Sequence, residues 1–453
     1  MNIEPIGIIS SIVIILCIYN SIEYATIAFI ISTLLGSAAA ALVGSANIQP
    51  AHMILIFVFI FMLSNDVYRT GILKSIIIPK PGFWFLCMVI YGIIGAFFFP
   101  RLMFEKTQIF PIGSTAYAET GWTVPLGPVS GNLTQSIYLT TDLVCYIVIA
   151  SVCSTLRGFD SIVTAFIIYA TSNAFFAATD ILTYVTGTQY ILDPIRNAQY
   201  ALHIEENIGD LKRITGSFTE TSSFAQATVG IFGFTGTMFL CNRNKYYSGI
   251  LSLISLILLI ISTSSTGIVV SAAMIGILSV TALRISFRSN GGLVSAAFLA
   301  FFPVALILLT MILFINTSAY NAIVNYIDLL VFNKSSSSSG LERDAWNQVA
   351  LQNFIDSGGL GVGLGTTRTS SFPLALLSNV GAPGTLLYLI FITTSLFHSS
   401  KDISDYYSDV QTSARNACFG LLIANTISGT LVDQGLTFYA FAALAYSKPI
   451  KST

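Results

Sequence analysis

The chain reads as an all-α polytopic integral membrane bundle of about 11–13 transmembrane helices, with extracytoplasmic loops carrying short amphipathic helices. Three observations predict this class. Only 9% of the 453 residues are charged while 54% are hydrophobic, where a soluble domain has roughly a quarter charged. Apolar runs of about twenty residues, enough to cross a hydrocarbon core of about 30 Å, recur from end to end. These runs are continuous rather than alternating, which selects helices over a closed barrel.

The first run, 6 to 20, follows Met1, Asn2, Ile3 and Glu4, and with no basic flank it reads as a span rather than a cleaved signal peptide. Further runs occupy 24 to 44, 51 to 64, 83 to 100, 137 to 152, 160 to 185, 224 to 241, 247 to 263, 266 to 283, 292 to 315, 373 to 397, 413 to 430 and 434 to 447. The first and the last two are short for independent crossings. Between them, basic residues fall in alternate loops: Arg69, Lys74 and Lys80; Arg157; Arg243 and Lys245; Arg284 and Arg288; Lys401 and Arg415. That alternation places these loops on the cytoplasmic side and the long loops 101–136, 186–223 and 316–372 outside. No tandem repeat is visible, so residues 1–453 form a single polytopic domain.

The outer loops hold the polar material. In 186–223, Ile191, Ile195, Ala198 and Leu202 fall on one helical stripe, with Arg196, Tyr200 and His203 sharing another face. In 316–372, the tract Ser335 to Ser339 with Gly340 reads as a flexible spacer. Leu341, Ala345, Trp346, Val349 and Phe354 then recur at helical spacing, the pattern of a short amphipathic helix lying on the membrane. Glycines at 358, 359, 361, 363 and 365 end it. With no Gly-Lys-Ser or Gly-Lys-Thr following, the run is not a nucleotide loop; its amides could form an anion nest or a tight lead into the next helix.

A net charge of −1 without a basic patch excludes nucleic acid as a partner. The six cysteines, Cys17, Cys87, Cys145, Cys153, Cys241 and Cys418, lie in or beside spans and read as small buried hydrophobes. Arg196, Arg213, Arg343 and Arg368 either snorkel and pair with acids or use their planar forks on phosphate, such as a lipid-linked pyrophosphate. Among the outer candidates for acid–base work, Glu220, Glu205, Glu206, Asp210, Asp344, Asp356 and His203, Glu220 is preferred as base because it stands where a span begins; a salt bridge to Lys212 or Arg213 is the alternative. Glu23, Asp66, Asp142, Asp180 and Asp433 sit in or near spans, where a charge is costly and hints at function. No His, Cys or carboxylate group has metal-ligand spacing, His52 and His398 falling at span ends or on the inner side.

Arg343, Trp346 and Ala350, followed by Gly361-Val362-Gly363-Leu364-Gly365 and then Asn379, Gly381 and Gly384, resemble the signature loop of the bacterial O-antigen ligase and polymerase superfamily. Arg213, Gly216, Phe218 and Glu220 resemble the arginine-bearing segment of its earlier periplasmic loop. Ser262, Ser265, Thr266 and Gly267 resemble its serine-rich turn. The likeness spans roughly 210 to 435. It implies a bacterial inner-membrane glycosyltransferase acting on undecaprenyl-pyrophosphate-linked oligosaccharides at the periplasmic face, without metal, sugar nucleotide or other cofactor. A chain-length regulator and a flippase are the partner proteins it implies. By the same likeness, Arg213 and Arg343 hold the pyrophosphate, with Arg196 and Arg368 as auxiliaries; Glu220, preferred from its position, is expected as base beside them, and His203, Trp346, Gly363 and Gly365 are expected in the substrate site. Ligases carry a histidine shortly after the glycine motif, where this chain has Thr369, Ser370, Ser371 and Phe372. The sequence is therefore closer to the Wzy-type exopolysaccharide polymerases, with a ligase or a transporter as alternatives.

Overall fold

A computed structural model describes residues 2–43, 46–118, 121–199, 202–204, 207–208, 211–288, 292–334, 337–398 and 404–449. Tyr200, Glu205, Glu206, Asp210, Ser335, Ser336 and Lys401, named above, lie outside the described residues. The fold is all-α. In chain order come α1 (Pro5–Asn20), α2 (Ile22–Ser32), α3 (Pro50–Ser64), α4 (Asp66–Ser75), α5 (Pro81–Leu102), α6 (Gly131–Val152), α7 (Leu156–Thr186) and α8 (Thr221–Leu240). They are followed by α9 (Lys245–Ile261), α10 (Ser265–Ser286), α11 (Leu293–Ile315), α12 (Thr317–Leu330), α13 (Ser338–Asp356), α14 (Phe372–Leu396), α15 (Asp405–Ser428) and α16 (Leu436–Tyr446). Seven of these, α5, α6, α7, α8, α10, α11 and α14, are each long and apolar enough to cross a membrane, and α3 with α4 passes the same test as a pair bent by 108°. The protein is thus a multi-pass membrane protein.

The bilayer shows in what the helices expose. α1 presents Ile8, Ile9, Ile12 and Leu16 outward, and α11 presents Leu306, Ile307, Met311 and Phe314, apolar surface that only lipid can cover. Polar side chains turn inward instead. The amide of Asn416 on α15 donates to the Thr237 hydroxyl of α8 at 2.8 Å and the Thr281 hydroxyl of α10 at 3.0 Å, satisfying a buried amide that lipid could not. α15 is too polar for a lipid-facing span, and α8 and α10 enclose it.

The connections gather at two ends. At one, here the basic end, Asp409 of α15 binds Arg243 at 2.9 Å and Arg288 at 2.7 Å, joining the turns after α8 and α10. Ser151 near the end of α6 donates to the Tyr68 carbonyl of α4 at 2.9 Å. At the other, the loop end, Ser37 accepts from Ala198 and donates to Ser217 through the backbone, and Arg368 donates its amide to Phe110 O at 2.8 Å. The loops expected outside therefore share one end, and paired basic residues from alternate loops share the other.

The expected span 24 to 44 stops at Ser32. Residues beyond it turn back as the antiparallel pair β2 (Ala41–Val43) and β3 (Ala46–Ile48), with β1 (Asn2–Ile3) alongside β2. The Ser37 hydroxyl donates to Ile195 O, the Ser37 amide to Ser217 O and the Ala39 amide to the Asn197 side chain, an alternative to helical bonds that hydropathy does not register. α16 is equally short, at 11 residues. Each of these two helices is roughly 16 Å long, about half a crossing, and their tips meet where the Thr33 and Thr437 hydroxyls lie 3.3 Å apart.

The outer segments also depart from expectation. A 3-10 turn covers Gln189–Ile195 and stops there, so the stripe through Ala198 and Leu202 is not a helix; Pro194 and the capture of Arg196 by the bundle end it. Ser337 caps α13, accepting from the Gly340 amide at 3.2 Å, which draws Ser338 and Ser339 into the first turn instead of a spacer. α13 buries Ala350 and Asn353 and leaves Leu341 exposed. Asn353 donates to the Gln108 carbonyl at 2.6 Å, so the helix docks by a polar contact that apolar periodicity does not reveal.

Candidate active site

α14 is two helices. Gly381 sits at φ 64, ψ −170, a conformation open essentially to glycine alone, and the helical bond lost there is replaced by Ala382 N–H donating to Gly359 O at 2.8 Å. The glycine loop fits into this break. A Cβ on Gly361 would lie 2.6 Å from Gly381 N, and one on Gly363 would lie 2.8 Å from Gly95 O. Most of the loop's amides are bonded within the protein. Val362 donates to Ser378 O at 2.7 Å and Gly363 to Asn379 O at 3.1 Å, while Thr366 and Thr367 donate to the Asn379 side chain. Gly363 and Gly365 are therefore close-packing positions, with Gly365 pressed against the Gly131 carbonyl, and the loop braces a broken span rather than presenting an anion nest.

Four arginines were expected to serve one ligand. Arg196 is 9% exposed and bonds Asp180 of α7 at 2.8 Å as well as the Thr215 hydroxyl and Gly216 carbonyl. Lys212 binds the same carboxylate, whose second oxygen accepts the Thr215 and Gly216 amides at 2.9 and 3.0 Å. Arg196 thus pins the 196–216 loop to the end of α7, a structural ion pair. Arg368 is exposed and stacks on Trp346, its guanidinium carbon 5.1 Å from the ring centre. Arg343 is half-exposed on α13, and Arg213 is half-buried. Among the described residues, Arg368 lines the cavity beside α13 and the other three arginines line neither that cavity nor the one beside His52. His203 is exposed, and its amide donates to Thr219 O at 2.9 Å.

What the half-length helices leave behind is a polar chamber of about 420 Å³. Thr33 ends its α2 wall and Leu436, Thr437 and Phe438 of α16 floor it, while Gly36, Gln49, Thr219 and Leu431 bound it at the loop end. Inside stand His52 from α3, Asp142 from the middle of α6, Asp433 from the 429–435 turn, and Gln226 and Gln434. Asp142, 2% exposed, brings its carboxyl close to that of Asp433. Its Oδ2 finds no donor, and the buried Nδ1 of His52 has no hydrogen-bond partner. His52 packs against the Tyr138 ring with centres 5.3 Å apart. Buried polar atoms are nearly always satisfied, yet four on residues lining this chamber, His52 Nδ1, Asp142 Oδ2, Tyr169 Oη and Gln434 Nε2, have no partner among the described residues, which makes it the candidate ligand site.

Three helices, α3, α8 and α16, begin at this chamber, and their N-terminal amides favour negative charge beside the two acids. Glu220 stands at the rim: it is half-buried, its carboxylate accepts from Ser222, and its neighbours Thr219 and Ser223 line the wall. Asp142 and Asp433 were legible as acids in or near spans; their pairing, and the share of His52 in it, were not. Among the described residues, no three His, Cys, Asp or Glu side chains converge as a metal would require. No protein-family model, curated protein or solved structure matches the chain.

Proposed function

We propose that the protein is a bacterial inner-membrane glycosyltransferase that joins undecaprenyl-pyrophosphate-linked oligosaccharide units at the periplasmic face, building an exopolysaccharide, O-antigen or capsule. One observation carries this reading: an acid–imidazole cluster with unsatisfied atoms lies in a polar chamber sunk to membrane depth, where a lipid-linked donor and a water-soluble glycan could meet. An acceptor hydroxyl attacks the donor's anomeric carbon, the bond from that carbon to the pyrophosphate oxygen breaks, and undecaprenyl pyrophosphate leaves with the bonding electrons. The hydroxyl proton passes to Asp433 or His52, which take the place given to Glu220 on sequence grounds. The three helix starts stabilise the departing pyrophosphate. Arg213 belongs to the segment that supplies Phe218 and Thr219 to the chamber wall.

Purified protein given a defined undecaprenyl-pyrophosphate oligosaccharide should yield products of two and more units by mass. Asp433→Asn should lower that rate by about 100-fold or more, the usual scale of a lost general base. Absence of any glycosidic bond formation by the unaltered protein overturns the reading. If the chain is a ligase instead, a deletion strain should accumulate long lipid-linked polymer rather than single repeats. The Asp142–Asp433 pair and the break at Gly381 also favour a transporter, since paired intramembrane acids and broken helices serve coupled transport. That reading predicts substrate movement into liposomes with no new bond.

A further inference from the structure

A second cavity, of about 290 Å³, lies between the 110–124 loop and α13. Its position is fixed by pairing rather than by chance approach. Pro111 bridges Thr367, Ile112 N–H donates to Thr366 O, and Arg368 N–H donates to Phe110 O, so backbone bonds tie the loop to the glycine segment. Into this cavity project Trp122, Trp346, Glu342 and Arg368. The chain has only three tryptophans, and two of them are here. Trp122 is 76% exposed, while Glu342 and Trp346, four apart on α13, share one helix face.

The polar edges are unused. The guanidinium of Arg368 contacts the Trp346 ring face, and among the described residues its N–H groups, the Glu342 carboxylate and the Trp346 indole N–H enter no hydrogen bond. A rigid aromatic surface bordered by a free fork, a free carboxylate and a free indole donor is the chemistry that binds a sugar ring: C–H faces stack on the indole while hydroxyls and an acidic substituent take the polar edges. We propose that this cavity is a glycan subsite for a pyranose bearing an anionic group, a carboxylate or a phosphate. It would hold the acceptor chain while its end reaches the chamber. The two sites are joined by a short path: Thr369, next to Arg368, bonds the backbone at Gly429 and Thr430, in the turn that carries Asp433.

The inference rests on the glycosyl-transfer reading but is tested without turnover. Tryptophan fluorescence of the purified protein would be titrated with tetragalacturonate, with neutral maltotetraose and with inorganic pyrophosphate; Trp84, half-buried on α5 and outside this cavity, supplies a constant background. Tetragalacturonate should give a saturable change, with maltotetraose binding more weakly. Arg368→Gln should weaken tetragalacturonate about tenfold, the size of one charge-assisted contact, and leave maltotetraose unchanged. Trp122→Ala should weaken both, and its exposure leaves folding intact, checked by a monodisperse elution profile. No saturable change with either tetramer, or a change produced by pyrophosphate alone, overturns the subsite. Tetramer binding by a protein that forms no glycosidic bond keeps the subsite and removes the transfer reading. Polymerisation by Trp122→Ala with unaltered dependence on acceptor concentration does the reverse.

Discussion

At the scale of single residues, two buried acids behave oppositely because their surroundings differ. Asp180 receives Arg196, Lys212 and two backbone amides, so removing it leaves two cations buried without their acceptor. Asp180→Ala should cost about 3–5 kcal/mol, seen as a large fall in the melting temperature of the detergent-solubilised protein. Asp142 faces another carboxyl and an unmet Oδ2; Asp142→Asn removes no counter-charge and should leave melting unchanged or raised while activity falls, the trade expected of a functional site. A melting curve for Asp142→Asn as damaged as that for Asp180→Ala would assign the chamber acids a purely structural role.

At the scale of elements, the break in α14 is where sequence-level helix reasoning gives way. Phe372 to Leu396 reads as one apolar span, yet Gly381 interrupts it and the glycine loop supplies the bonds the break requires. Gly381→Ala must place a Cβ against the Leu360 carbonyl at a positive φ and should destabilise by about 2 kcal/mol or more. Gly276 on α10 offers the control, since a Cβ there meets nothing within 4 Å; Gly276→Ala should be neutral or stabilise by up to about 1 kcal/mol. Equal melting shifts for the two variants would argue against the loop-in-break packing.

At the scale of the whole molecule, the bundle has a basic end fastened by Asp409 and a loop end carrying both cavities. With Arg69, Arg157, Arg243 and Arg288 in alternate loops, the basic end should face the cytoplasm. In a background lacking the six native cysteines, Trp122→Cys should react with a membrane-impermeant maleimide on intact cells, and Arg157→Cys only after lysis. Reversed labelling would put the chamber on the cytoplasmic side and remove the periplasmic transfer reading with it. Given that orientation, Arg213→Ala should shorten the cell's polysaccharide, read from its chain-length distribution.

Composition and the length of apolar runs determined by themselves that this chain is a helical multi-pass membrane protein, and the spacing of its arginines and lysines determined which loops belong together, because both properties are local sums along the chain. The glycine loop also stood out in the sequence, though as an anion nest or a helix lead-in without a choice between them. Only the tertiary structure decided that choice, by showing the Val362, Gly363, Thr366 and Thr367 amides bonded to Ser378 and Asn379 of α14. It likewise decided that α2 and α16 stop half-way and leave a chamber, that Arg196 belongs to Asp180, and that His52 and Asp142 meet Asp433. Those outcomes depend on which donors and acceptors meet in space, from 16 positions apart for Arg196 and Asp180 to hundreds for Asp142 and Asp433, a quantity that hydropathy and periodicity do not contain.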